Sequence, residues 1–346
     1  MQPAGRRTDM SQVTGSMGST KIEEKGVKKF TLTNTLILFI MLVVLMIFFS
    51  LTSRSFLTYL NISTMLANLS FIGVTASALT LVLITGGLDI SIGGTIGLVS
   101  CLVAWLYQGG MNAGYAMLIG LAAGMMVGAL NGVLVTAVGL NPIITTLGTM
   151  GITRGLAFVI TDGRSILIFE KTLGLLGRGG IKLFQSGDTL ITFPIPVVLL
   201  IIVYAVYWFL MEKTKFGRQI YAIGANTRAS YLSGVRTKRT TFIAYLLSGS
   251  MAAIGGLILT SLTAVGMPQH GMGQELNVIA AVILGGTMLG GGRGKILGTL
   301  LGVLIISVLY NGLVMLNVYF YFVSIAQGAV LIAVVAAYEA RKRRVA

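Results

Sequence analysis

Apolar residues in this chain fall in long runs separated by short polar stretches. The clear runs cover 31–52, 114–138, 140–160, 190–211, 240–264, 296–316 and 319–338. Each approaches the roughly 20 residues a helix needs to cross the hydrocarbon of a bilayer. Residues 65–85 make a less hydrophobic run, and 94–108 and 276–291 are short and rich in glycine. The pattern predicts an all-α integral membrane protein, a polytopic helical bundle of about ten transmembrane helices. The short runs make the range eight to ten. The first 30 residues are polar and hold no apolar core, so no ordinary cleaved signal peptide is expected and the first span stays as an anchor.

Composition agrees with that pattern. The 346 residues are 55% hydrophobic and 10% charged, against about 25% charged in soluble domains. Mean hydropathy is +0.89. Twenty-five Lys and Arg against 10 acids give a net charge of +15. In a soluble protein that excess would suggest nucleic acid. Here the bases sit at the ends of apolar runs, which is the signature of membrane topology, and no nucleic-acid partner is expected. The bases gather in the first 30 residues, in 212–239, in the turn 292–295 and in the tail. All four fall on one side if ten spans leave both termini in the cytoplasm. Residues 161–189, with mixed charge, then form the largest outside loop. The division is a polar cytoplasmic extension 1–30, a transmembrane domain 31–338 with a cytoplasmic loop 212–239, and a basic cytoplasmic tail 339–346. The single cysteine, Cys101, excludes an internal disulfide framework, and the single histidine, His270, leaves little for zinc or a histidine triad.

Small residues recur every fourth position at Ala116, Gly120, Gly124, Gly128, Gly132 and Thr136, and again at Ala252, Gly256, Thr260 and Ala264. Gly298 and Gly302 repeat the spacing. Such faces let helix backbones approach closely inside a bilayer, and packing within the subunit is expected. Asn141-Pro142 reads as a helix start, and Pro194 and Pro196 open the run near 190. Asn131, Asn141, Thr145, Thr146 and Arg154 lie at membrane depth, where each needs an internal partner or water. Ile84-Thr85-Gly86-Gly87 echoes Ile283-Leu284-Gly285-Gly286, and Asn131-Gly132 echoes Asn311-Gly312. That weak echo is compatible with an inverted repeat of the kind common in transporters.

Three constellations are candidates for function. In Gly86-Gly87-Leu88-Asp89-Ile90-Ser91-Ile92-Gly93-Gly94, four glycines surround one acid. An aspartate at helix centre costs about 2.5–3.5 kcal/mol on insertion scales. The segment is either a discontinuous element bordering a polar path or a tight turn whose Asp89 caps the next helix through the Ser91 or Ile92 amide. In the loop 216–239, Asn226 is placed to cap a short helix and Gly234 to end it. Ala225 or Asn226, Ala229, Leu232 and Ser233 would share one face, suited either to docking another protein or to an ordinary surface helix. Glu275, in Gln274-Glu275-Leu276-Asn277, either favours the start of the next helix or borders a solute path. Gly290-Gly291-Gly292-Arg293-Gly294-Lys295 fails as a phosphate loop, because Leu289 replaces the first glycine and Ile296 follows the lysine. No serine-nucleophile elbow or His-Glu-x-x-His is present, and no paired carboxylates are expected on one helix. No catalytic and no metal-ligating residue is expected, and the chain is not read as an enzyme.

At these residues the chain resembles the permease subunits of bacterial ATP-binding-cassette importers for monosaccharides, the ribose/xylose/arabinose type of binding-protein-dependent transporter. The resemblance spans about residues 35–338 and rests on Gly86–Gly93, on Asn141-Pro142-Ile143-Ile144-Thr145-Thr146-Leu147-Gly148-Thr149-Met150, on Phe216–Val235 and on Glu275–Thr287. Ala225, Asn277 and Gly94 depart from the family's usual residues. The resemblance implies a bacterial inner-membrane, multi-pass protein that moves sugar by alternating access. It implies three partners in a lipid bilayer: a cytoplasmic ATPase, an extracytoplasmic sugar-binding protein, and a second permease that is a copy or a similar chain. No cofactor is implied in this chain, since ATP is bound by the partner. Residues 224–234 would be the coupling helix, with Gly224, Ala225, Asn226, Ala229, Ser230, Leu232, Ser233 and Gly234 toward the ATPase. The substrate path would involve Asn68, Asp89, Asn141, Thr145 and Asn311. The alternative is a secondary transporter coupled to a proton or sodium ion through Asp89 or Glu275.

Overall fold

The computed structural model describes residues 27–168, 171–186, 189–319, 321–326, 328–330, 332–333 and 336. The polar extension up to residue 26 and the tail 339–346 lie outside them. In chain order the helices are α1 (Val27–Thr52), α2 (Tyr59–Ile84), α3 (Ile92–Gln108), α4 (Ala113–Val133), α5 (Pro142–Thr161), α6 (Lys171–Arg178), α7 (Ile195–Lys213), α8 (Lys215–Ala225), α9 (Thr227–Leu232), α10 (Thr237–Thr263), α11 (Gln274–Leu284) and α12 (Ile296–Met315). A π-helical turn, Leu134–Val138, continues α4. The strands are β1 (Ile166–Leu167), β2 (Gly180–Ser186), β3 (Thr189–Pro194) and β4 (Val265–Gly266). Seven described helices are long and apolar enough to cross a membrane: α1, α2, α4 with its π turn, α5, α7, α10 and α12. Three shorter apolar helices accompany them, α3, α11 and Tyr321–Val330.

The caps are where the side chains allow them. The Asn141 side chain accepts from the Ile143 and Ile144 amides, and Pro142 takes the first position of α5, where no amide partner is lost. Asn226 accepts from the Ala229 amide and starts α9. Gly234 follows at φ +82°, which only glycine adopts readily.

The small-residue faces meet inside the subunit. α10 is the central helix and packs on α2, α3 and α4. Any side chain at Gly124 or Gly128 of α4 would overlap Gly249 or its neighbours on α10, and one at Gly249 would overlap the Gly124 carbonyl. The two backbones therefore touch, which maximises van der Waals contact where lipid offers no hydrophobic drive. Gly256 of α10 faces Ile96 and Val99 of α3, and Gly298 and Gly302 of α12 face Gly285 and Ala281.

The bundle has two distinct ends. At one, the Tyr59 hydroxyl donates to the Thr192 carbonyl on β3 at 2.7 Å, β1 pairs antiparallel with β4, and the Gly177 amide of α6 donates to Ser261 of α10. At the other, the Gly292 amide donates to the Ile84 carbonyl at the end of α2 at 2.8 Å, and α8 rests against both. After α10 the chain returns between these ends along α3. Gly266 lies against Ala104, the His270 carbonyl against Gly97, and Glu275 against Gly93. α11 completes the return.

Five expectations are corrected. The bundle is helical, but two short two-stranded ribbons decorate one end. Residues 190–194 are strand, so the run opening near 190 becomes helical only at Ile195. Residues 285–291 are a glycine turn rather than helix, because Gly286 and Gly291 take φ near +92° and +80°. The loop 212–239 contains a helix, α8, that charge obscured; Gly217, Ile220 and Ile223 form its buried side. The glycine echo does not carry an inverted repeat. Gly86 and Gly286 close α2 and α11 by the same pattern, with Gly86 N bonded to Leu83 O and Gly87 N to Val82 O, and Gly286 N to Ile283 O and Thr287 N to Val282 O. The two turns lie at the same end of the bundle, touching each other, whereas inversion would place them at opposite ends.

Candidate functional site

Asp89 is fully buried. The segment after α2 turns back into the bundle and delivers Asp89 opposite Ser248, eleven residues into α10, which is about 16 Å along that helix. Its Oδ1 accepts from the Ser91 amide at 3.0 Å and the Ser91 hydroxyl at 2.6 Å, and its Oδ2 accepts from the Ser248 hydroxyl at 2.7 Å. Asn131 of α4 donates to Ser91 Oγ at 2.8 Å, and Thr149 of α5 donates to Asn131 Oδ1 at 2.8 Å. The Leu88 carbonyl accepts from Tyr245 at 3.3 Å. One carboxylate thus gathers α3, α4, α5 and α10 through satisfied hydrogen bonds. In a medium without water such a network fixes one arrangement of helices. Both readings of the glycine segment describe part of it: the element is discontinuous, and Asp89 bonds the Ser91 amide. It is a buried staple, deep in the bundle, and not a turn at the surface.

The residues of the loop 212–239 sit at the end where α2 and α11 finish. Gly224 is wedged between the Ile84 carbonyl and Gly292, with no room for a Cβ. The Tyr221 hydroxyl donates to the Gly294 carbonyl at 2.9 Å. Burial, and secondarily Glu212, push that hydroxyl up to about 12, so it remains a donor at neutral pH. Ala225, Asn226, Ala229, Leu232, Ser233 and Gly234 are exposed, while Ser230 turns back into the bundle. Tyr231 and Leu232 are 69% and 77% exposed on α9, an apolar pair outside any membrane-length helix.

The five path residues do not converge. Asn68 is exposed on α2, and Asn141 is exposed at the start of α5. Thr145 is buried and donates to the Asn141 carbonyl at 2.9 Å. Asn311 pairs reciprocally with Asn61 at 3.0 and 2.9 Å, near the end that carries Tyr59. Only Asp89 is central. Sequence offers the Ser91 amide as a partner of Asp89 and includes Thr149 in a motif, but it does not single out Ser248, because no local signal marks a serine on a distant helix. Arg154 and Glu275, which sequence places at or near membrane depth, form an ion pair at 3.7 Å. Glu275 occupies the first turn of α11 but makes no cap hydrogen bond there.

The profile of the family described as branched-chain amino acid transport system / permease component matches residues 61–335. The Bacillus subtilis ribose import permease protein RbsC is 39% identical over 294 residues, covering 85% of this chain and 89% of the relative. The Escherichia coli D-allose transport system permease protein AlsC is 34% identical, covering 86% and 89%. The Yersinia enterocolitica autoinducer 2 import system permease protein LsrD is 35% identical, covering 76% and 79%. No solved structure matches the chain. A chain whose apolar helices are this long, and which matches the profile over most of its length, belongs to this family of transport-system permease components and is a multi-pass protein of the bacterial inner membrane.

Proposed function

We propose that the chain is the permease subunit of an ATP-driven, binding-protein-dependent importer that moves a monosaccharide, a ribose-like pentose or a hexose, into the cytoplasm by alternating access. The observation that carries this reading is 34–39% identity to ribose and D-allose permeases across most of both chains. The family description alone would suggest a branched-chain amino acid. The relatives' names favour a sugar. Family membership also favours an ATP-driven subunit over an ion-coupled carrier.

The reading includes ten crossings with both termini in the cytoplasm. α3, α11 with the turns that lead into it, and Tyr321–Val330 supply the three crossings beyond the seven long helices. The bases of 212–239 and 292–295 meet at one end of the bundle, which supports that end as cytoplasmic. There α8 and α9 receive the ATPase, with Tyr231 and Leu232 as the apolar anchor and Gly224 passing motion to the turns after α2 and α11. A second permease subunit, a copy or a similar chain, completes the channel, and a sugar-binding protein docks at the opposite end. The nucleotide belongs to the ATPase, and this chain needs no cofactor of its own and performs no chemistry.

The test is copurification. The tagged chain is solubilised gently from its host, with and without residues 225–233. The full chain should retain an ATP-binding-cassette protein and the shortened chain should lose it while remaining monodisperse. Retention by both would overturn the coupling assignment. Absence of any ATPase, with ion-driven uptake by the chain alone, would replace the importer with a secondary carrier.

A further inference from the structure

Several buried polar atoms lack a hydrogen-bond partner among the described residues, and three of them lie along one seam: Arg154 Nη2, Glu275 Oε2 and His270 Nε2. The floor of the seam is α3. Gly93 faces Glu275 and the Gly271 carbonyl, and Gly94 faces Thr153 and Met150 of α5. Gly97 faces the His270 carbonyl, and Ser100 shares a 2.7 Å hydrogen bond with His270 Nδ1. The adjacent glycines let Glu275 approach α3 on one flank and α5 on the other, so the carboxylate and the guanidinium meet above them. They stand 3.7 Å apart, longer than the 2.7–2.9 Å of a charge-assisted hydrogen bond.

Taking two charges out of water is costly unless their remaining positions are also bonded, and Arg154 Nη2 and Glu275 Oε2 are not. The pair is also deep: Arg154 is twelve residues into α5, about 18 Å along it, which is mid-bilayer for a core of about 30 Å. It is reachable, because the Arg154 side chain is 24% exposed, and Gly151 and Gly155 beside it are exposed with open space above them. Ionisable groups at such depth mark solute paths by default.

We propose that Arg154 and Glu275 form the mid-membrane contact for the translocated solute, and that the solute is a neutral polyhydroxylated molecule. A hydroxyl accepts from a guanidinium and donates to a carboxylate, so neighbouring hydroxyls fill the free positions while the ion pair stays intact. The pair has no net charge and favours neither cation nor anion. An amino-acid zwitterion would have to separate the two charges. The assignment rests on the importer reading above and names the residues that the solute meets on its way through.

The test uses the whole transporter, permease with its ATPase and binding protein, in proteoliposomes, with D-ribose, D-allose and L-leucine as probes. Arg154→Gln and Glu275→Gln should each lower sugar uptake at least tenfold, with yield of monodisperse protein and ATPase copurification within twofold of the parent. A merely structural ion pair would lower all of these together. Sugar uptake unchanged by both substitutions overturns the contact and leaves the importer standing. Uptake of leucine in place of sugar, or of no sugar, overturns the importer's solute and this contact with it. Should the charge variants fail to assemble, Gly151→Cys in a Cys101→Ala background decides. Its thiol should react with a charged, water-soluble reagent and be protected at least threefold by saturating sugar. Reaction only with a lipid-soluble reagent overturns the proposal.

Discussion

A single hydroxyl illustrates what holds this protein together at the residue scale. Ser248 is the sole described donor to Asp89 Oδ2, and the carboxylate is wholly buried. Ser248→Ala leaves that oxygen unpartnered, which costs about 1–3 kcal/mol. The midpoint of thermal unfolding in detergent should fall. Asp89→Ala, which removes the acceptor for three bonds, should lower it further, and adding Ser248→Ala to that variant should change little, because the shared bond is already gone. Equal additive losses would mean that the two residues do not interact. The sequence displays Asp89 as an anomaly among glycines, and the Ser91 amide is within reach of a local reading. Ser248 lies 159 positions away, and no spacing rule connects them.

Glycine faces govern the element scale, but only some of them pack. Gly249 has the Gly124 carbonyl and the Gly128 backbone in the space a Cβ would take. Gly249→Val should separate α4 from α10, at a cost of about 1–3 kcal/mol or more from overpacking, with lower yield of monodisperse protein. Gly148 of α5 has open space above it, and Gly148→Ala should be neutral or should gain up to about 1 kcal/mol from helix propensity. Thermal unfolding of the two variants in parallel checks the contrast; equal losses would refute it. The four-residue spacing on α4 is legible in sequence as a packing face, whereas Gly249 falls outside the spaced series on α10. Which neighbour each face meets depends on how helices from distant parts of the chain are arranged. α8 was hidden for a different reason. Its buried positions Gly217, Ile220 and Ile223 are spaced as a helix requires, but the seven bases of 212–239 and its three glycines read as loop.

At the scale of the whole molecule, topology is the property to test. If α9 lies in the cytoplasm and β1 outside, Leu232→Cys should be labelled by an impermeant thiol reagent only after the membrane is opened, and Ser165→Cys in intact cells. Both positions are exposed. Labelling of both from one side would break the ten-crossing arrangement. Seven long helices alone would leave the termini on opposite sides. The three shorter apolar helices, α3, α11 and Tyr321–Val330, would bring the crossings to ten and return both termini to one side.

The sequence by itself determined that the solvent of this chain is lipid, where most spans run, where Asn141, Asn226 and Gly234 start or stop helices, and which family the motifs resemble. These are local properties: run length, capping chemistry and backbone freedom depend on a few neighbouring residues. The tertiary structure alone decided that Asp89 ties four helices together, that Asn68 and Asn311 stand apart from it, and that Arg154 meets Glu275 across the glycines of α3. Those outcomes depend on pairing between segments far apart in the chain. In a bilayer a polar group needs a partner inside the protein or water, and the fold settles which.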